Sequence, residues 1–156
     1  MPKFPYKLPP MLPIAFSLAL VFQLHMTNAC AELGGAVDKE AVPAQEQNPI
    51  AATEQHLNVY QIKSPAGTLI KEYANTNNLV VAVSWQGPTL PNLKQLLGAY
   101  FEPFAKRPAT QNSNHHSAEL HTDDLVVQSH GQMHNFAGRA YLPKLLPPGF
   151  NADQIN

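Results

Sequence analysis

The chain has one cysteine, Cys30, so no disulfide can form within it and its fold must rest on apolar packing. Charge is scarce as well. Asp, Glu, Lys and Arg make up 13% of residues, against about 25% in an average soluble domain. No basic cluster is present, which argues against a nucleic-acid partner. No apolar run reaches the roughly 20 residues that a membrane-spanning helix needs. Several patterns of exported hydrolases, metalloproteases, phosphate binders and redox proteins are also missing: G-x-S-x-G, H-E-x-x-H, a Walker-type loop, C-x-x-C and G-x-G-x-x-G.

What is present begins with an export pattern. Lys3 and Lys7 are the only charged residues before Glu32. They precede an apolar stretch over residues 11–24, the positive and apolar regions of a secretory leader. Ala29-Cys30-Ala31 supplies an A-x-A cleavage site. The spacing predicts a signal peptide over residues 1–31 and a periplasmic or secreted product starting at Glu32, with no membrane span left after cleavage. A lipoprotein anchored at Cys30 is the competing reading, but Thr27-Asn28-Ala29 is a poor match to the Leu-Ala-Gly type of sequence that such processing prefers. The remaining 125 residues suit one domain and carry 8 Lys/Arg against 11 Asp/Glu.

Along that remainder, residues 32–56 are rich in Ala, Gln, Glu and Pro without apolar periodicity, which predicts a flexible lead. A single α+β domain is expected over residues 57–145. Strands are predicted at 57–62, 68–73 and 79–86, parted by Ser64-Pro65-Ala66-Gly67 and Asn75-Thr76-Asn77-Asn78. The third, apolar on both faces at its start, reads as a central strand. An amphipathic helix follows, with Thr89 as N-cap, Pro91 in its first turn and Pro103 as its end. Leu93, Leu96, Leu97, Tyr100 and Phe101 form its apolar stripe. Gly98 within it is tolerable if another element must come close. Residues 106–123 read as a polar loop. A hairpin turning at residues 129–131 completes a β-β-β-α-β-β order, a small antiparallel sheet of about five strands covered by one helix. The tail, residues 146–156, is expected on the surface.

Five segments carry a family resemblance. They are Glu32-Leu33-Gly34-Gly35, Val81-Ala82-Val83-Ser84-Trp85-Gln86-Gly87-Pro88, Leu96-Leu97-Gly98-Ala99-Tyr100-Phe101, Asp124-Leu125-Val126-Val127 and Phe136-Ala137-Gly138-Arg139-Ala140-Tyr141-Leu142-Pro143. Together they resemble an exported proteobacterial family, domain of unknown function 2844. The resemblance implies export and a single domain, and it assigns no catalytic residue.

Candidate chemistry is thin. Glu119, Asp123 and Asp124 near His121 have the spacing of a solvated loop. His115, His116 and His121, joined by His130 or His134, are the metal candidates, since imidazole ligates zinc, copper and nickel. Adjacent histidines on a loop usually point apart. Arg139 reads as a surface or sheet-edge charge rather than an anion receptor. No cofactor is implied. The expected role is a noncatalytic binding or accessory module for an envelope protein or small ligand; the alternative is a histidine-loop metal binder or hydrolase.

Overall fold

The computed structural model describes residues 31–37, 57–108 and 117–156. The leader up to residue 30, the lead over residues 38–56 and the histidines His115 and His116 lie outside the described residues. Within them the fold is α+β, as expected, but the sheet has six strands in the order β1-β2-β3-β6-β5-β4, all antiparallel. β1 is Asn58–Lys63, β2 Leu69–Ala74, β3 Val80–Gly87, β4 Ser117–His121, β5 Val126–Gln132 and β6 Asn135–Tyr141. Two three-stranded meanders are thus joined along β3 and β6.

The predicted turns between the first strands form. Gly67 N–H donates to the Ser64 carbonyl at 2.9 Å, and Gly67 takes φ 88, which glycine adopts without steric cost. Asn75 Oδ1 accepts from the N–H of Asn77 and of Leu79, closing the second turn. β3 is the central strand its sequence promised: Val80, Val81, Ala82 and Val83 are all fully buried. Their unbroken burial is explained by a bulge. Ala74 pairs with Val80 and Tyr73 with Ala82, so Val81 is the extra residue and the strand changes face there.

Four local expectations are corrected. β4 replaces part of the expected polar loop; Ala118 and Leu120 pack against the core while Glu119 and His121 are exposed, the alternation of an edge strand. The β5–β6 hairpin turns at Met133-His134, not at residues 129–131. Gly131 is a strand residue instead, paired with Phe136, and a Cβ there would lie 2.3 Å from Phe136 Cδ1. The helix opens at Asn92, whose Oδ1 accepts from Gln95 N–H. Thr89 is held elsewhere, its carbonyl accepting from the buried Thr68 hydroxyl at 2.7 Å. Pro103 does not end the helix. Helix α1, Leu93–Leu97, stops at Gly98, which takes φ 52; a 3-10 turn over Gly98–Tyr100 leads into α2, Phe101–Ala105. Pro103 therefore stands in the first turn of a new helix, where its missing N–H costs no bond within that helix.

The ends of the domain reach further than expected. Leu33 and Val37 are buried in the cluster beneath the helix. Leu33 N–H donates to the Leu96 carbonyl, Gly34 N–H to that of Val80, and Val80 N–H to that of Gly35. At the other end Ile155 is 1% exposed, and it joins Leu57, Val59, Tyr73 and Ala82 in a second cluster. Neither segment shows apolar periodicity, so its sequence reads as spacer. One or two apolar anchors are enough to dock it.

Candidate functional site

Cross-strand register sorts the side chains into two faces. On the helix face, Leu120, Val127, Ala140, Val83, Glu72 and Tyr60 lie in one row across all six strands. Ala118, Ser129, Gly138, Trp85, Ile70 and Ile62 form the next. Leu96, Leu97 and Phe104 of the helices, all buried, cover these rows. Glu72 is fully buried here, and the strand pattern of the sequence did not single it out. Trp85 is 2% exposed; its Nε1 is buried without a hydrogen-bond partner among the described residues.

The family motifs of the sequence interlock on this face. A Cβ on Gly98 would lie 2.4 Å from Glu32 Oε2, and one on Gly34 would lie 2.9 Å from the Tyr100 ring. The Glu32-Leu33-Gly34-Gly35 segment is thus clasped against the Leu96-to-Phe101 segment. This is the close approach that Gly98 was expected to serve. Likewise a Cβ on Gly138 would come within 2.3 Å of Trp85 Cζ2, so the indole lies against a strand that must lack a side chain at that point. These motif residues build the fold.

The opposite face is divided. A row of Val126, Tyr141, Ala82, Tyr73 and Val59, with His121 at its edge, is largely apolar. The next row is polar throughout: Glu119, Gln128, Arg139, Ser84, Lys71 and Gln61. The C-terminal segment crosses the face as a strap. Its Ile155 packs on the apolar row. Asn156 is bound through its backbone, its carbonyl accepting from Lys71 Nζ at 2.8 Å and from the Tyr73 hydroxyl at 3.1 Å.

Arg139 secures the same strap. It lies on β6, an interior strand, so it is not a sheet-edge charge. Its side chain is 25% exposed. Nε donates to Gln128 Oε1 at 2.7 Å, Nη1 to the Ala152 carbonyl at 2.8 Å, and Nη2 reaches Asp153 Oδ1 at 3.3 Å. The first two bonds fix the guanidinium plane. The third is made to a carboxylate that is 80% exposed.

Beside the strap the face stays open, forming a trough of about 430 Å³ lined among others by Gln86, Glu119, Gln128, His130, Arg139 and Asp153. The trough is framed by the rigid middle of the sheet on one side and the strap on the other. Its polar groups are amides, an imidazole, a guanidinium and two carboxylates, a set suited to hydrogen bonding of a small polar molecule. Of these, His130, Glu119 and Arg139 drew notice in the sequence. Gln128 and Gln86 did not, although Gln128 and His130 stand two apart on one strand and so share a face.

Of the metal candidates, His115 and His116 lie outside the described residues. His121 is on β4, exposed, with Nε2 3.8 Å from Glu119 Oε2. His130 lies on β5 and His134 in the β5–β6 turn at φ 62. Among the described residues no group of three or more His, Cys, Asp or Glu side chains comes together to hold a metal. Asp124 is paired with Lys144 Nζ rather than with His121. A second, shallower hollow is apolar, lined by Pro88, Leu90, Met133 and Phe136, with Met133 91% exposed.

The sheet, its single helical cover and the strap define a small α+β domain with an open polar face. Residues 29–155 match the family described as protein of unknown function (DUF2844), and the chain belongs to that family. The match takes in both the clasp and the strap up to Ile155. No curated protein matches the chain, and no solved structure matches it. No helix among the described residues is long and apolar enough to cross a membrane.

Proposed function

We propose that the protein is exported and acts in the cell envelope, or outside it, as a noncatalytic binding module whose ligand occupies the trough beside the strap. One observation carries this reading: the strap covers the apolar row of the face and leaves the polar groups of Gln86, Gln128 and His130 bordering an open trough. Those groups project from interior strands of the sheet, so their backbones are fixed before any ligand arrives, and Arg139 also engages the Gln128 side chain. Preorganised polar groups in a concavity lower the cost of ordering on binding. Export is supported by the charged start, the short apolar run and the A-x-A site of the leader.

The experiment is a nuclear magnetic resonance screen of the purified protein against a library of small polar molecules, run beside assays of ester, peptide, phosphate and glycan hydrolysis. Ligands that move the signals of Gln86, Gln128 and His130 are expected, without turnover. Turnover that survives repurification, with those signals unmoved, would sink the reading. For export, intact mass of envelope or medium fractions is expected to show a chain beginning at Glu32. An acylated Cys30 or a retained leader would overturn that part.

A further inference from the structure

We propose that the trough takes a small zwitterion, a molecule carrying a carboxylate and an ammonium a few atoms apart, such as an α-amino acid or a dipeptide. The proposal rests on the reading of the trough as a binding site and names its ligand class.

The carboxylate anchor is Arg139. A guanidinium has five N–H donors. Among the described residues, Nε and Nη1 spend one each on Gln128 Oε1 and the Ala152 carbonyl, at 2.7 and 2.8 Å, while Nη2 makes only the 3.3 Å contact to Asp153. The guanidinium is therefore oriented by its two short bonds and lines the trough with donors to spare. A carboxylate can meet such a fork with two parallel bonds. Asp153 occupies that position weakly, being 80% exposed, and an exposed ion pair of this kind stabilises by about 0–1 kcal/mol. Asp153 thus acts as a resident stand-in that an incoming carboxylate displaces.

The rest of the trough selects against a simple anion. Glu119 lies in the same row as Arg139, two strands away, so their Cα atoms are about 10 Å apart across the sheet. Glu119 is 59% exposed and has only the 3.8 Å contact to His121 among the described residues. With Asp153 displaced, the trough offers two carboxylates around one guanidinium, with His130 between them and Gln86. An anion alone meets repulsion from Glu119 and Asp153; a cation alone meets Arg139. A ligand carrying both charges answers both, its carboxylate on Arg139 and its ammonium toward Glu119.

The test titrates isotope-labelled protein with four probes: glycylglycine, acetate, ethylamine and inorganic phosphate. Glycylglycine is expected to move the signals of Gln86, Gln128 and His130 and to bind roughly twofold to fivefold more tightly than the other three, the factor that one additional exposed charged contact provides. Asp153→Asn is the decisive variant, because it removes the stand-in; affinity for glycylglycine should rise roughly twofold to fivefold, the worth of an exposed pair. Glu119→Gln should weaken glycylglycine and, by removing a repelling charge, tighten acetate slightly. Acetate or phosphate binding as tightly as glycylglycine would overturn the zwitterion while leaving the trough a ligand site, and a loss of affinity in Asp153→Asn would remove the stand-in role. Silence from all four probes overturns the ligand class, and silence from the wider polar library as well would also remove the trough as a binding site.

Discussion

The two faces of this sheet are closed by different means. Apart from buried Glu72 and Ser129, the helix face is apolar across two rows and is covered by buried Leu96, Leu97 and Phe104. Its glycines at 98 and 138 let other side chains come closer than any Cβ would allow. The strap face has one apolar row, and its cover is held mainly by Ile155 together with hydrogen bonds from Arg139, Lys71 and Tyr73. Apolar packing is undirected and sums over area, whereas polar pins hold a segment at chosen points and leave gaps between them. The gap on the strap face is the trough.

Leu97 is fully buried, and Leu97→Ala is expected to cost about 2–5 kcal/mol through lost burial and the cavity left behind, read as a lower denaturation midpoint. Gly138→Ala should cost about 1–3 kcal/mol or more, since the new Cβ meets both the Trp85 ring and the Gln128 carbonyl at 2.3 and 2.6 Å. The same variant should shift the indole fluorescence of the chain's single tryptophan.

The strap face should respond locally. Ile155→Ala is expected to cost about 2 kcal/mol, at the low end for a buried isoleucine, because the strap can detach without the sheet unfolding. Amide exchange should quicken over residues 149–156 while Leu96 and Val83 keep their protection. Equal quickening on both faces would show that they form one cooperative unit. Smallest of all, Lys106→Ala removes an ion pair to Glu102 whose side chains are 79% and 67% exposed, and its effect should stay within about 0.5 kcal/mol.

These contrasts also explain how much was legible in the sequence. The three strands of the first meander, the central β3 and the helix stripe are encoded locally, by alternation, by turn residues and by helical spacing. β4 was hidden because Ser117, Glu119 and His121 are polar on an edge strand that needs only Ala118 and Leu120 inside. The clasp and the strap were hidden for another reason. Leu33, Val37 and Ile155 are isolated apolar residues whose burial depends on surfaces 40 or more residues away in the chain, such as Val80 and Tyr73. The trough was hidden likewise, since Gln86, Gln128 and Arg139 meet only through the pairing of β3, β5 and β6.

That pairing sets the order of assembly. Within each meander the strands are joined by turns of two to five residues, and such hairpins close in about 1–10 microseconds. The seam between β3 and β6 joins Ala82 to Tyr141, so a long loop must be closed before its contacts repay the entropy. Gly138 and Trp85 sit on that seam, face to face. Closure of the seam is therefore expected to be the slow step of folding, and it is also the step that brings Gln128 and Arg139 beside Gln86. Each half carries only part of the polar row, Gln61, Lys71 and Ser84 in one and Glu119, Gln128 and Arg139 in the other, and docking of the two halves makes the row continuous.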